Sequence, residues 1–311
     1  MSSSLAFAMP RRTLDTRAIG VMVLLCAIWG FQQVAIKSAN ATVPPLLQAG
    51  LRSAVAALLV WAWARLRGTP LFTADGTLGP GLAAGALFAG EFLCVFIGLT
   101  LTSAARMAIF LYSAPCFIAL GLHLFVPGER MRGIQWAGIG LAFAGIAVAF
   151  ADGFARPAAG AHALAGLIGD ALGVLGGVMW AGTTLVVRAT SLSRGSASKA
   201  LFYQLTVSAV LLLALAALLG QTTVAHVTPR VAASLAYQAV IVAFFSYLAW
   251  FWLLTRYMAS RLSVFTFLSP LFGVSFGVLF LGESVGVRFL SAAALVLAGI
   301  ALVNTPPRAA R

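Results

Sequence analysis

Ten apolar stretches of about 20 residues follow one another along the chain, and this succession constrains the fold more than any other feature. A helix rises about 1.5 Å per residue, so about 20 apolar residues cross a hydrocarbon core of roughly 30 Å. The stretches do not alternate apolar and polar residues, and they are about twice as long as a barrel strand needs. They are Ala18–Ser38, Leu46–Leu66, Leu78–Leu99, Ala104–Leu124, Gly133–Phe150, Leu164–Val187, Ser198–Leu219, Val231–Leu254, Leu262–Leu281 and Val287–Val303. We therefore predict an all-α integral membrane protein with ten transmembrane helices, called spans 1 to 10 in chain order.

The composition agrees with burial in a lipid bilayer. Hydrophobic residues make up 61% of the 311 residues and charged residues 9%, whereas a soluble domain is roughly half apolar and a quarter charged. So few charges could not cover a water-soluble globule of this size, which argues against a soluble enzyme or a disordered protein. The net charge of +13 comes from basic residues scattered singly or in pairs among apolar runs. We interpret it as a topology signal and expect no nucleic-acid partner.

The basic residues predict the orientation of the chain in the membrane. With the amino terminus inside, 14 of the 20 Lys and Arg residues fall on the cytoplasmic side and five outside. The cytoplasmic set is Arg11, Arg12, Arg17, Arg65, Arg67, Arg130, Arg132, Arg188, Arg194, Lys199, Arg256, Arg261, Arg308 and Arg311, and the outer set is Lys37, Arg106, Arg156, Arg230 and Arg288. Positive residues stay on the cytoplasmic side of membrane proteins. We therefore predict a multi-pass protein of the cell (inner) membrane with both termini in the cytoplasm.

The second half of the chain repeats the first at a distance of about 151 to 155 residues. The matched segments are Trp29-Gly30 with Trp180-Ala181-Gly182, Lys37 with Arg188, Arg106 with Arg261, Ser113-Ala114-Pro115 with Ser269-Pro270, and Gly128-Glu129 with Gly282-Glu283. Each copy holds five spans, and because five is odd the second copy enters the membrane from the opposite side. The two copies are thus predicted to be inverted repeats, the plan of secondary transporters whose substrate site lies at the repeat interface. The predicted segments are a cytoplasmic tail at 1–17, a first repeat at 18–150, an extracytoplasmic loop at 151–163, a second repeat at 164–303 and a cytoplasmic tail at 304–311.

These motifs resemble those of the drug/metabolite transporter superfamily, specifically the EamA-like permeases of ten helices. The resemblance covers about Ala18–Val303, and its segments include Trp29-Gly30, Ile36-Lys37, Leu51-Arg52, Thr102 to Arg106 running into Ala114-Pro115, Gly128-Glu129-Arg130, Gln135 to Gly138, and the second copies Ala259 to Leu262, Leu268-Ser269-Pro270 and Leu281-Gly282-Glu283. It implies an inner-membrane permease, and many similar proteins export amino acids or other metabolites. One departure is Arg52, which has no arginine counterpart in the second repeat; the nearest aligned residue is Gln204.

Glu91 is the deepest acidic residue in any predicted span, and it needs a partner, a proton or a water-filled cavity. A charge at the membrane centre costs about 2.5–3.5 kcal/mol on insertion scales. Arg52 lies about 9 Å below the outer end of span 2 and Glu91 about 12 Å below the outer end of span 3. A contact between them is geometrically feasible, either as an ion pair that opens for substrate or a proton, or as a static structural pair. Asp170, nearer the outer end of its span, is expected to be a solvated carboxylate.

Other polar and aromatic residues inside the spans are candidates for a substrate pathway. The set, with the two charges above, is Trp29, Gln32, Gln33, Arg52, Glu91, Tyr112, Trp180, Thr183, Thr184, Tyr203, Gln204, Ser246 and Tyr247. The first-half members form a predicted outer layer and the second-half members an inner layer, although each could instead make helix-packing hydrogen bonds. The tryptophans could stack on a substrate or pack in the core. Gating candidates are the matched prolines Pro115 and Pro270, as hinges or fixed kinks, and Arg106 and Arg261, as anion-attracting residues or topology determinants.

Three functional classes compete for such a chain. The favoured one is a secondary active transporter that exports amino acids or related small metabolites by alternating access, with an uptake permease as the alternative. The sequence has no phosphate-cradling P-loop, so an ion or substrate gradient, with protons as a candidate coupling ion, would supply the energy. An integral-membrane lipid-linked transferase would need clustered carboxylates, and a channel would need a selectivity ring. We predict no enzymatic activity, no cofactor and no metal, and the sequence leaves a homodimer open.

Overall fold

A computed structural model describes residues 14–40, 42–102, 104–126, 128–151, 161–281 and 287–305, which contain helices and no strand. The helices are Thr16–Asn40 (span 1), Pro45–Leu66 (span 2), Leu78–Leu101 (span 3), Ala104–Leu111 and Ala114–Phe125 (span 4), Gly133–Ala149 (span 5), Ala161–Ala189 (span 6), Ala197–Leu218 (span 7), Pro229–Ala236, Tyr237–Ser246 and Tyr247–Arg256 (span 8), Ala259–Phe265 and Leu268–Leu281 (span 9) and Val287–Val303 (span 10). Eight spans in the described residues are long and apolar enough to cross a membrane, and spans 5 and 10 are shorter apolar helices. The predicted fold class is confirmed.

Spans 2 and 7 end in the same way in the two repeats. Gly68 and Gly220 follow these helices with φ of 63° and 68°, a left-handed conformation that glycine adopts without steric cost. The next residue in each repeat donates its backbone N–H back into the last helical turn, Thr69 to Ala64 O at 2.8 Å and Gln221 to Ala216 O at 2.7 Å. This left-handed cap satisfies carbonyls that the helix end would otherwise leave without donors.

Spans 4 and 9, each predicted as one apolar span, are interrupted close to Pro115 and Pro270, the prolines considered above as hinges or fixed kinks. The breaks fall at residues 112–113 and 266–267, just before segments that carry Pro115 and Pro270 in their first turn. A proline is tolerated there because the first-turn N–H groups have no helical partner, whereas deeper in a helix it removes a bond and clashes. Hydroxyls accompany both breaks: Ser113 Oγ donates to Phe110 O at 2.5 Å and Thr266 Oγ1 to Ser263 O at 2.6 Å. The two repeats thus share an interrupted helix at matched positions.

The packing of the spans obeys a pseudo-two-fold relation. Span 5 packs on span 10, and span 2 packs on span 7. In both pairs a span of the first repeat packs on the equivalent span of the second repeat. The contact of span 1 with span 9 is equivalent to that of span 6 with span 4. Likewise, the contact of span 3 with span 6 is equivalent to that of span 8 with span 1. Small residues allow the closest approach, since a Cβ at Gly138 in span 5 would lie 2.7 Å from Gly299 O in span 10. The repeats are therefore interleaved rather than side by side.

Two bundles result from this packing. The first bundle is spans 3, 4 and 6, the second bundle is spans 1, 8 and 9, and spans 2 and 7 pack on each other and on both bundles. The helix ends define two faces. The amino-terminal face is the one where span 1 begins, and there the loop after span 2 meets the start of span 7 through Lys199 Nζ and Asp75 Oδ2 at 2.7 Å. The opposite face is where span 1 ends.

Candidate functional site

A cavity of about 430 Å³ lies between the two bundles and is lined by residues of spans 1 to 4 and 6 to 9. Its walls carry many aromatic rings, which pack on one another: the Trp29 ring lies 5.9 Å from that of Trp250 and the Tyr112 ring 5.8 Å from that of Trp180, centroid to centroid. Polar side chains interrupt this apolar wall at several points. The cavity therefore combines a large apolar surface with a few polar groups, as small-molecule sites generally do.

Most of the residues proposed from sequence for a substrate pathway meet at this cavity. Those that line it are Trp29, Gln32, Arg52, Glu91, Tyr112, Trp180, Thr183, Thr184, Gln204 and Tyr247. Ser246 lies behind the wall, where its Oγ accepts a hydrogen bond from Trp29 Nε1 at 2.8 Å and fixes that ring. Tyr203 is turned toward the amino-terminal face, where its hydroxyl donates to Leu71 O at 2.9 Å. The side chain of Gln33 is outside the described residues.

Arg52 and Glu91 line the same cavity but do not form the contact considered from the sequence. Within the part of the chain that the structure describes, no hydrogen bond and no ion pair within 4.0 Å joins them. The Arg52 guanidinium carbon instead lies 4.3 Å from the centroid of the Phe92 ring, a cation–π distance. The side chain is 2% exposed, and its Nε and Nη2 have no hydrogen-bond partner in the described residues. The cavity wall thus carries a guanidinium and a carboxyl side chain that make no direct contact with each other.

Asp170 is buried and paired, so the expectation of a solvated carboxylate is wrong. The carboxylate is a partner of Arg106, whose Nη2 donates to Oδ2 and whose Nε donates to Oδ1 at 3.1 Å. Thr102 Oγ1 adds a hydrogen bond to Oδ1 at 2.8 Å. The pair joins span 4 to span 6 within the first bundle near the opposite face. Arg106, considered above as an attractor of anions, is therefore already engaged by a carboxylate of the chain itself.

Arg261, the counterpart of Arg106, has different surroundings. It is buried at the start of span 9, and its Nε has no hydrogen-bond partner among the described residues. The counterpart of Asp170 is Asp15, which accepts a hydrogen bond from Tyr257 Oη at 2.8 Å and from the Ala18 backbone N–H at 2.8 Å. The two repeats therefore keep an acidic anchor at equivalent positions but do not use their arginines alike.

Glu129 forms a buried polar cluster at the amino-terminal face that the sequence singled out only as part of a repeated Gly-Glu motif. Its Oε1 accepts from Ala259 N at 2.9 Å, and its Oε2 accepts from Ser260 N at 3.0 Å and Ser260 Oγ at 2.6 Å. Arg188 Nη2 completes an ion pair with Oε1, and Arg188 Nη1 donates to Leu254 O at 2.9 Å. We call Glu129, Arg188, Leu254, Ala259 and Ser260 the Glu129 cluster. It joins the ends of spans 4, 6, 8 and 9.

The cavity reaches one face and stops short of the other. Asn40, Pro45 and Thr100, at helix ends on the opposite face, belong to its lining. Toward the amino-terminal face it ends at Val187 and Leu254, next to the Glu129 cluster. Glu129 and Arg188 lie beyond this end and are buried, so the cavity is closed at the amino-terminal face.

Spans 4 and 9 pack against each other more extensively near the amino-terminal face than near the opposite face. Ala114–Phe125 of span 4 packs on Ala259–Phe265 of span 9 near the amino-terminal face. The counterpart segments, Ala104–Leu111 and Leu268–Leu281, do not pack on each other to a similar extent in the described residues. Packing between the bundles thus agrees with a cavity closed at one face.

The model of the EamA-like transporter family matches the chain twice, at residues 16–151 and 167–305. The chain belongs to the EamA-like transporter family. Its family and the names of its relatives indicate a transporter rather than an enzyme, and its apolar helices a multi-pass membrane protein.

Relatives of this EamA-like chain match over nearly their whole length. An uncharacterized transporter of Bacillus subtilis (strain 168) is 30% identical over 302 residues, which are 94% of this chain and 93% of the relative. A probable amino-acid metabolite efflux pump of Escherichia coli (strain K12) is 29% identical over 294 residues, 92% of this chain and 94% of the relative. A crystal structure with 22% sequence identity superposes with a TM-score of 0.78 over 93% of this chain and 99% of the other, which supports the fold.

The EamA-like cavity also contains an amide network that the sequence reading missed. Gln48 Nε2 donates to Asn40 Oδ1 at 2.8 Å and to Val43 O at 2.8 Å. Gln238 Nε2 donates to Gln48 Oε1 and to Ser234 Oγ, both at 3.1 Å. The network ties spans 1, 2 and 8 together beside the cavity. The available signal was a glutamine inside an apolar run, which has to satisfy its hydrogen bonds within the protein.

Proposed function

We propose that this EamA-like transporter is a secondary active exporter of amino acids or related small metabolites that works by alternating access. One observation carries the proposal: a cavity between the two bundles, closed at one face, has an aromatic wall with Arg52 and Glu91 on it. A substrate site at the interface of inverted repeats is the arrangement of secondary transporters. The efflux-pump names of relatives at 29% and 28% identity favour amino-acid metabolites as the substrate class.

The two charges suit a dipolar solute. A guanidinium recognises a carboxylate, and a carboxylate accepts hydrogen bonds from an ammonium group. Arg52 and Glu91 on one cavity wall would therefore hold the two ends of a zwitterion, while the rings of Trp29, Trp180 and Tyr247 contact its apolar part. Partial pairing with the substrate would also reduce the cost of keeping two charges inside the membrane.

The proposal includes an orientation in the membrane and a movement of the helices. The excess of basic residues on one side favours both termini in the cytoplasm and the protein in the inner membrane. The amino-terminal face is then cytoplasmic, and the cavity is in an outward-facing state. The two bundles, each built from spans of both repeats (18–150 and 164–303), would rock about the substrate, with the helix breaks before Pro115 and Pro270 as hinges.

Protons are the proposed coupling ion, and Glu91 is the proposed carrier. An acidic side chain inside a span is a common element of proton relays in transporters. Glu91 would bind a proton and the substrate ammonium alternately, so that return of the cavity to the cytoplasm requires a proton. Glu91→Gln, which resembles the protonated side chain, should then weaken substrate binding and lose the dependence of flux on a pH gradient.

Proteoliposomes test the function directly. The purified protein is reconstituted, loaded with a panel of radiolabelled amino acids and their derivatives, and assayed for efflux with and without an imposed pH gradient. Export predicts saturable flux that is accelerated by a gradient and lost in Arg52→Gln. The matched control is Arg65→Gln, an exposed arginine on the same span, which should keep the parental flux. Non-saturating flux would contradict a carrier, and gradient-driven flux in the reverse direction only would favour uptake.

A further inference from the structure

The Glu129 cluster connects the two bundles at the face where the cavity is closed. Glu129 follows span 4 and Arg188 ends span 6, so both are attached to the first bundle. Their partners belong to the second bundle: the carbonyl of Leu254 near the end of span 8 and the amides of Ala259 and Ser260 at the start of span 9. The bonds from Glu129 to span 9, and the bond from Arg188 to Leu254 of span 8, therefore cross the cleft between the bundles.

The buried charges of the Glu129 cluster are paired with each other and hydrogen-bonded. Glu129 is 2% exposed and Arg188 is 6% exposed, so neither charge is solvated by bulk water. A buried carboxylate is tolerated when it is paired and when donors fill its lone pairs, and Glu129 receives two backbone N–H groups, one hydroxyl and one guanidinium. The carboxylate also lies at the amino end of a helical segment, where free N–H groups favour an anion. This arrangement is stable only while the bundles touch at this face.

We infer that the Glu129 cluster is the gate of the amino-terminal face, with Glu129 and Arg188 as gate residues that hold the cavity closed there. The inference rests on the alternating access proposed above. Opening at this face separates the amides of Ala259 and Ser260 from Glu129 and the carbonyl of Leu254 from Arg188. Water then replaces these partners, so the same groups that are buried in the closed state become solvated in the open state. Transport would break and remake this gate once per cycle.

Cysteine accessibility tests the gate without any need for a known substrate. The native Cys26, Cys94 and Cys116 are first replaced by serine or alanine, and one reporter is introduced, Val187→Cys at the closed end of the cavity. A second background carries Thr100→Cys at the opposite face. A membrane-impermeant maleimide is then applied in turn to each side of sealed vesicles, and labelling rates are compared between gate variants.

Two gate variants and one control decide the outcome. Ser260→Ala removes one hydrogen bond to the carboxylate and should raise the labelling rate of Val187→Cys from the amino-terminal side about tenfold, the size expected for a lost hydrogen bond to a charged group. Glu129→Gln should raise it further and lower the labelling of Thr100→Cys. Ser263→Ala is the control, because its hydroxyl bonds Ser260 O within its own helix. It should leave both rates unchanged.

Failure of the gate is distinguishable from failure of the transport proposal. If Ser260→Ala labels at the parental rate, or if Ser263→Ala raises labelling equally, the gate assignment is overturned, whatever the flux assays give. If Glu129→Gln does not fold, Ser260→Ala still decides, since it removes a single hydroxyl. Raised labelling in a protein that transports no tested solute would support the gate and leave only the substrate class in error.

Discussion

Thr102 donates a hydrogen bond to Asp170 at 2.8 Å in one half of the molecule, and Tyr257 donates to Asp15 at 2.8 Å in the other. The four residues are related by a single shift of 155 positions. An aspartate therefore accepts a hydrogen bond from the equivalent position in each half, which is a threonine in one half and a tyrosine in the other. In each half the bond joins the end of one span to the start of another. The anchors lie near opposite faces, as inversion requires.

The anchor in the first bundle should be sensitive to loss of its charge. Asp170→Asn removes the ion pair with the partly buried Arg106, and we expect a loss of about 2–3 kcal/mol of unfolding free energy, the scale of hydrogen bonds to a charged group. Chemical denaturation in detergent measures the loss. The double variant Asp170→Asn with Arg106→Gln should recover part of it, and strictly additive losses would show that the two side chains do not interact.

The contact of spans 5 and 10 makes a second prediction, with its own control on the same helix. A Cβ at Gly138 would lie 2.7 Å from the Gly299 carbonyl oxygen, whereas a Cβ at Gly140 would meet nothing within 4 Å. Gly138→Ala should therefore destabilise the protein by roughly 1–3 kcal/mol through overpacking. Gly140→Ala should be neutral or slightly stabilising, since alanine favours helix. Thermal unfolding compares the two variants, and equal effects would contradict the close packing.

The spans could be predicted because each is a continuous stretch of about 20 mostly apolar residues. The exact positions of the breaks in spans 4 and 9 could not be predicted in this way. Tyr112 and Ser113 lie within an apolar run, and the break there is accompanied by Pro115 in the next segment and by the Ser113 hydroxyl, which donates to Phe110 O. The repeat itself was readable, since its motifs recur along the whole chain. Most of the cavity residues could also be predicted, because they are polar or aromatic residues that lie deep within the apolar spans.

The polar clusters depend on contacts that no local pattern reports. Asp170 meets Arg106, which lies 64 positions earlier, and Glu129 meets Ser260, which lies 131 positions later. A carboxylate near a predicted helix end looks solvated until the helix next to it is known. For Arg52 the sequence instead predicted a contact that the structure does not show. Its depth in the membrane is similar to that of Glu91, but the ring that packs against its guanidinium is that of Phe92.

The wall of the cavity makes a third prediction, on the orientation of one ring. Trp29 Nε1 donates to Ser246 Oγ at 2.8 Å, which fixes the indole against Trp250. Ser246→Ala removes the acceptor and keeps the space, so we expect a weaker apparent affinity for the exported solute, by roughly threefold to tenfold, the scale of one neutral hydrogen bond. Flux titrations in proteoliposomes measure it. Ser275→Ala, whose hydroxyl bonds its own helix at Leu271 O, should leave the affinity unchanged.

The tie between the loop after span 2 and the start of span 7 predicts a defined pH dependence of stability. Lys199, with hydroxyls of Thr77 and Thr73, holds the pKa of Asp75 well below its usual range. A carboxyl group with a lowered folded-state pKa stabilises the fold at any pH above its unfolded value of about 3.9, and this contribution is lost as the pH falls below that value. The difference in melting temperature between the parent and Asp75→Asn should therefore be constant from about pH 5 to pH 8 and shrink below about pH 4. A difference that changed near neutral pH would mean that another group responds to the substitution.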